Sequence, residues 1–393
     1  MLITAGLILT PDGNVPDGAV LITGDTITAA GPRAQVEAQA HPGEPRLSFP
    51  DSTIMPGLID AHVHLCFDAS ADVLGTFEQQ GNDALYEAMR ERAQQLLSAG
   101  VTTVRDLGDR DHLVLRLAGE IAQNRAVGPR IISAGTPVTP VGGHCWFLGG
   151  EVTGIEEIRA LVRRNAEAGA KVIKVMETGG GLTKGGPKSH ETQFSPEELT
   201  ALVQEAHQAG LPVAAHAHGA DGIAVAVGAG VDTLEHCTWM TAEGIELRQE
   251  VLAQIVEKGI YVCPTTTPHW PMLPKVFGQE RANAIFGAVR EMAEAGARLV
   301  AATDAGVQRA HFGGLASSLT CYEHLGLPPG RILEMATAEA ARALGLGDRV
   351  GQVAAGYSAD LLVLDGNPLE DLGALRRINT VVARGMQQPP AKV

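Results

Sequence analysis

Two histidines, His62 and His64, stand one residue apart at the end of the apolar run "PGLIDAHVHL" (56–65). In an extended strand alternate side chains share a face, so both imidazoles can converge on one point, and a metal ion is such a point. A lone His-x-His pair is common. It gains weight from Lys174 in "KVIKVM", His216 and His218 in "PVAAHAH", His236 in "DTLEHC" and Asp304 in "RLVAATDAG". Each of these residues lies near the C-terminal end of a short apolar run, so together they form a candidate set of convergent polar groups.

The elements that must position them follow from the same runs. Eight apolar stretches recur between residues 57 and 306: 57–65, 101–108, 130–135, 171–176, 212–218, 232–237, 260–265 and 298–306. Segments of helical period separate most of them. "SPEELTALVQEAHQAG" (195–210) is one, with Ser195 placed to cap and Pro196 at the first helical position. Strand and helix alternating eight times over this length predict an α/β protein built as a (β/α)8 TIM barrel, whose active sites sit at the C-terminal ends of the strands. The first fifty residues read instead as short strands broken by turns such as "PDGNVPDG", and strands return in "GQVAAGYSADLLVLDG" and "INTVVARG". The expected organisation is a barrel over 56–346 and a small β-sandwich domain composed of 1–55 plus 347–393.

Composition narrows the function classes. The 393 residues carry a net charge of −15, and no basic run stands out against it, so a nucleic-acid partner is not expected. No stretch approaches the roughly 20 apolar residues of a membrane span, and the N-terminus lacks the pattern of a signal peptide. The five cysteines (66, 145, 237, 263 and 321) are scattered and form no CxxC pair, which predicts a reduced, cytoplasmic setting. The expected partner is a small-molecule substrate, in a protein that forms a homo-oligomer.

"IMPGLIDAHVHL", the lysine of "KVIKV", "AAHAHG", "LEHC", "ATDAG" and the closing "ATAEAARALGLGDRVGQVAAGYSADLLVLDGNPLEDL" resemble, in order and spacing, the metal-dependent amidohydrolase superfamily. The likeness covers nearly the whole chain. It is nearest to the imidazolonepropionase-like branch that includes Xaa-Pro and Xaa-Arg dipeptidases. The resemblance implies the barrel, the flanking sandwich and hydrolysis at a metal centre. It implies that His62, His64 and Asp304 hold one divalent metal and His216 and His236 a second, bridged by Lys174 as a CO2-derived carbamate. A free ammonium, with a pKa of about 10.4, cannot ligate, whereas a carbamate can span metals separated by about 3.5–4 Å. Zn2+ suits these ligands, with Mn, Fe or Co compatible. A hydroxide bridging the metals would attack an amide or peptide-like C–N bond, of a dipeptide or N-acyl amino acid, with Asp304 moving the proton to the leaving nitrogen.

Several positions keep two readings. His218 is a contact to the substrate oxygen or tetrahedral intermediate, or else a ligand or a structural residue. His144, in "VTPVGGHCWFLGG", matches a Gly-Gly-His stretch that borders substrate in the family, or is a loop histidine. Arg309 and His311 could meet a substrate carboxylate, Arg309 through its bidentate fork, or lie at the surface. "ETGGGLTKGGPKSH" (177–190) places Pro187 where a phosphate-binding loop needs lysine, so it reads as a loop over the barrel mouth. Trp146, Phe147 and Trp270 could shape an apolar pocket, and the cysteines near the ligands read as bystanders. The competing reactions are those of a mononuclear deaminase or cyclic amide or imidate hydrolase, and of a lactonase or esterase. The deaminase relatives lack the lysine and place a glutamate shortly after the strand-five histidine, where "HAHGAD" offers none.

Overall fold

The computed structural model describes residues 1–388. Eight short strands rise from the eight apolar runs: β1 (Leu58–Val63), β2 (Val101–Asp106), β3 (Arg130–Ser133), β4 (Ile173–Met176), β5 (Val213–Gly219), β6 (Thr233–Met240), β7 (Tyr261–Cys263) and β8 (Arg298–Leu299). All neighbouring pairs are parallel, in one arc of β1 to β3 and a second of β4 to β8. Backbone bonds outside the ladders bridge the two gaps. Between β3 and β4, the Lys171 N–H donates to Ser133 (2.9 Å) and the Val138 N–H to Lys174 (2.8 Å). After β8, the Asp304 N–H donates to His62 (2.8 Å) and the His64 N–H to Ala305 (2.7 Å). The architecture is a TIM-barrel-like α/β fold whose ring is carried by two ladders and the bonds between them. The eighth run was expected to be extended through residue 306. It leaves the ladder after Leu299, and Asp304 takes a left-handed backbone (φ 58°).

Helices cover the strands and bury the apolar faces against them, as in Asn82–Ser98, Gly154–Ala168 and Gln279–Glu294. Pro196–Gln208 begins as its sequence predicts. The Ser195 hydroxyl accepts from the Glu198 N–H (3.2 Å) and the Glu198 carboxylate accepts from the Ser195 N–H (3.0 Å), a reciprocal capping box.

The two chain ends meet in one seven-stranded sheet. Its order is Met386–Gln388, Ile378–Ala383, Leu361–Asp365, Arg46–Pro56, Leu2–Thr10, Gly13–Thr23, Thr26–Pro32. Strands from 2–56 and from 361–388 thus share one hydrogen-bonded sheet, where a sandwich was expected; residues 389–393 of the expected segment lie outside the described residues. The strand Arg46–Pro56 leads straight into β1, so the sheet anchors the start of the barrel strand that ends in His62 and His64.

Candidate metal centre

His62, His64, Lys174, His216, His218, His236 and Asp304 meet at one end of the barrel. His62 Nε2 lies 3.2 Å from His64 Nε2, and Asp304 Oδ1 lies 3.3 and 3.4 Å from the same two nitrogens. Across the barrel His216 Nδ1 lies 3.0 Å from His236 Nε2. Two groups offer donor atoms within 4.8 Å of one another, His62, His236 and Asp304 in one and His216, His218 and His236 in the other. Lys174 is wholly buried beside them, its Nζ without a hydrogen-bond partner. These residues line a cavity of about 400 Å³, closed on its apolar side by Phe67, Met176, Leu182, Phe277 and Val307.

Proton bookkeeping shows what the cluster can hold. His62 Nδ1 faces Glu235 Oε2 (2.7 Å), His64 Nδ1 the Gly108 carbonyl (3.3 Å) and His216 Nε2 the Gly179 carbonyl (3.0 Å). Carboxylates and carbonyls only accept, which assigns the proton to those nitrogens. His218 Nδ1 and His236 Nδ1 face the hydroxyls of Thr238 (2.9 Å) and Thr265 (2.7 Å). Those hydroxyls direct their hydrogens to the carbonyls of His218 (3.3 Å) and Pro264 (2.9 Å), so they accept from the imidazoles. A neutral imidazole has one N–H, so every other ring nitrogen presents a lone pair. Four of these lone pairs face each other at 3.2 and 3.0 Å, with Asp304 Oδ1 beside one couple and no donor reaching it. Acceptors crowded together with no proton between them repel one another, and cations relieve that repulsion. The donor set therefore fits divalent metal ions.

Electrostatics agree. Burial pushes all five histidines below their ordinary 6.5, His64 to about 3 and His218 to about 4, which keeps them neutral and able to ligate. Burial lowers Lys174 to about 8, against the pull of the Glu235 and Asp304 carboxylates, and raises Asp304 to about 7 against Lys174.

Backbone geometry explains how neighbouring residues share the site. On β6 Glu235 pairs with His216 of β5 and His236 with Ala217, so regular alternation would turn His236 away from the cavity. Left-handed backbone at His236 (φ 69°) and Cys237 (φ 48°) breaks the alternation and lets both Glu235 and His236 reach inward. Such conformations cost of order 1–3 kcal/mol each and persist at functional sites because the surroundings hold them. On β1, Asp60 accepts from the Thr303 hydroxyl and N–H (2.5 and 3.0 Å), tying the strand to the turn that carries Asp304.

The remaining sequence candidates divide. His144 lines the cavity, its ring 4.6 Å from that of His216. Arg309 and His311 are exposed and are absent from the lining, where their neighbours Val307 and Gln308 stand. A left-handed turn at Arg309 (φ 67°), whose N–H donates to Ala69 (3.1 Å), places them outside. Phe147 packs behind Phe67 (6.2 Å), Trp146 is exposed, and Trp270 turns away to donate to Thr320 (3.0 Å). The 177–190 loop is pinned at its base, where the Gly179 N–H donates to Glu191 (3.0 Å), and its Gly179 carbonyl orients His216. Cys145 lines the cavity, with burial raising its thiol to about 12, so it offers no thiolate at neutral pH. The orienting partners Glu235, Gly108, Gly179, Thr238 and Thr265 were not anticipated. Only Glu235, next to a ligand candidate in "LEHC", left a trace in the sequence.

Comparison with known proteins follows the same lines. A model of the amidohydrolase family matches residues 53–387. Ochratoxinase of Aspergillus niger is 30% identical over 423 aligned residues, covering 94% of this chain and 82% of that protein. Imidazolonepropionase of Cereibacter sphaeroides is 27% identical and covers 89% of each chain. A solved Xaa-Pro dipeptidase with methionine in its active site superposes with a TM-score of 0.86 at 28% identity, over 98% of this chain and 99% of that one.

Proposed function

We propose a reaction from one premise: the chain belongs to the amidohydrolase family. It is a hydrolase acting on C–N bonds. The finer reading is a two-metal centre that cleaves an amide or peptide-like bond in a small molecule of the dipeptide or N-acyl amino acid class. The observation that carries it is the set of inward lone pairs on His62, His64, His216 and His236 beside the unpartnered Asp304 Oδ1 and Lys174 Nζ.

In this reading His62, His64 and Asp304 hold one ion, and His216 and His236 hold the other. Lys174 would serve beside them as a carbamate: its neutral amine attacks CO2, an N–C bond forms as one C=O π bond breaks onto oxygen, and the nitrogen releases its proton to solvent. A buried amine without a partner, lowered to about 8, supports that step by keeping a reactive neutral fraction near pH 7. Bound divalent ions supply acidification of a water and polarisation of the scissile carbonyl. In this reading the Asp304 carboxylate, whose Oδ1 no donor reaches, would take the proton from the attacking water and return it to the leaving nitrogen. His218 presents a lone pair at Nε2 and stays neutral at pH 7, which favours a ligand to the second ion over a donor to the substrate oxygen. His144 is left to contact the substrate carbonyl, and Phe67, Leu182 and Phe277 receive its apolar part.

The test is amine release from dipeptides and N-acyl amino acids by Zn2+-loaded protein, beside Lys174→Ala. Release that disappears in Lys174→Ala is the expected result. A protein that holds two Zn2+ per chain and releases no amine would refute the peptide-like substrate and redirect attention to lactams, carbamates and esters.

A further inference from the structure

Of the six histidines that line the cavity, His62 alone is backed by a charged group, His144 Nδ1 facing the Thr183 hydroxyl. His64 and His216 lean on carbonyls, and His218 and His236 on hydroxyls, whereas His62 Nδ1 donates to the Glu235 carboxylate at 2.7 Å. That carboxylate is fully buried, and its other oxygen accepts from the Arg105 guanidinium and from the Thr233 hydroxyl, each at 2.7 Å. Arg105 reaches from β2 into the barrel interior. It donates as well to the Ala61 carbonyl (2.7 Å), the Thr233 hydroxyl (3.0 Å) and Cys263 Sγ (3.4 Å). Each nitrogen and oxygen of the pair thus has a partner, and the carboxylate oxygen that Arg105 leaves free is the one that accepts from His62.

We propose that Glu235, held by Arg105, is a positioning residue that makes the two metal sites unequal, so that the ion on His62, His64 and Asp304 binds first and more tightly. A carboxylate hydrogen-bonded to the far nitrogen fixes the tautomer, locks the ring and raises the basicity of Nε2. Neutral carbonyl and hydroxyl partners fix the tautomer but add less electron density. The ion on His216 and His236 lacks this support and is the first to leave. The inference rests on the two-metal reading above.

The test is stepwise Zn2+ titration of chelator-stripped protein against a competing indicator, for the unsubstituted chain and Glu235→Gln. The unsubstituted chain is expected to give two constants at least about tenfold apart. In Glu235→Gln the tighter one weakens about 10–100-fold, the usual cost of losing an orienting partner, and the weaker one is preserved. Two equal constants in the unsubstituted chain, or a gap that survives in Glu235→Gln, would overturn the role of Glu235 and leave the two-metal reading standing. No Zn2+ bound at either site would overturn the two-metal reading itself. If Glu235→Gln does not fold, the imidazole N–H protons of the Zn2+-loaded unsubstituted chain decide by NMR. A His62 Nδ1–H shifted well downfield of the other ring protons supports the inference, and one lying among them refutes it.

Discussion

The buried amine of Lys174 makes a quantitative prediction about how the centre assembles. Only the neutral amine reacts with CO2. With a pKa lowered to about 8, roughly a tenth of the lysine is neutral at pH 7, against about 0.03% for an ordinary lysine, a gain of about 300-fold. Chelator-stripped protein, given Zn2+ and 13C-labelled CO2 at a fixed dissolved concentration, should therefore acquire a 13C carbamate signal whose initial rate follows that neutral fraction. The rate is expected to rise about tenfold from pH 6 to 7, about fivefold from 7 to 8, and less than twofold above pH 9. The histidines do not distort this profile, because burial already holds them neutral at pH 6. Asp304 carries no amine and forms no labelled carbamate. Lys174→Ala should give no signal at any pH. A rate that keeps climbing tenfold per pH unit beyond 9 would mean that the lysine is not depressed. A carbamate that survives in Lys174→Ala would place it on another residue.

Glu177 is wholly buried with neither carboxylate oxygen partnered, and burial raises it to about 9. A raised folded-state pKa gives stability that is full below the unfolded value of 4.5 and lost as pH rises towards 9. Glu177→Gln should therefore gain about 3 kcal/mol relative to the unsubstituted protein between pH 4 and pH 7, read from urea midpoints, and parallel pH profiles would contradict this. Phe277 lines the cavity while partly exposed, so Phe277→Ser should raise KM several-fold for apolar amides with kcat little changed; a fall in kcat alone would assign it to the reaction rather than to binding. Arg309→Ala and His311→Ala, outside the lining, should leave kcat/KM within about twofold, and a larger loss would return them to the substrate site.

Much of this architecture was legible because it depends on local periodicity. All eight apolar runs contain barrel strands, Ser195 caps the helix it precedes, and the strands of both termini share a sheet. The inward placement of His62 and His64 follows from strand alternation alone. What was not legible depends on broken alternation or on distant partners. Asp304 and His236 reach the cavity through left-handed backbone, which no hydrophobic pattern encodes. Gly179, Thr238 and Thr265 orient imidazoles from loops or strand ends whose polar atoms have no periodicity of their own. Arg309 and His311 show the reverse failure. Closeness to Asp304 in sequence suggested closeness in space, and one left-handed turn undoes it.

The polar barrel interior connects these observations. A TIM barrel ordinarily fills its centre with branched apolar side chains, yet beneath this site Arg105, Glu235 and Thr233 occupy it. Replacing a buried ion pair with apolar residues is often neutral or stabilising, so stability alone does not account for this one. Removing a single partner is a different matter, costing roughly 3–5 kcal/mol because the other charge is left stranded. Folding therefore forces Arg105 and Glu235 to meet, and in meeting they aim one carboxylate oxygen at His62. The imidazole is thereby held in one orientation, with its proton on the nitrogen that faces Glu235. The left-handed backbone at His236 brings a further ring nitrogen inward from the residue beside Glu235, so one short stretch of β6 both orients His62 and supplies His236 to the cavity.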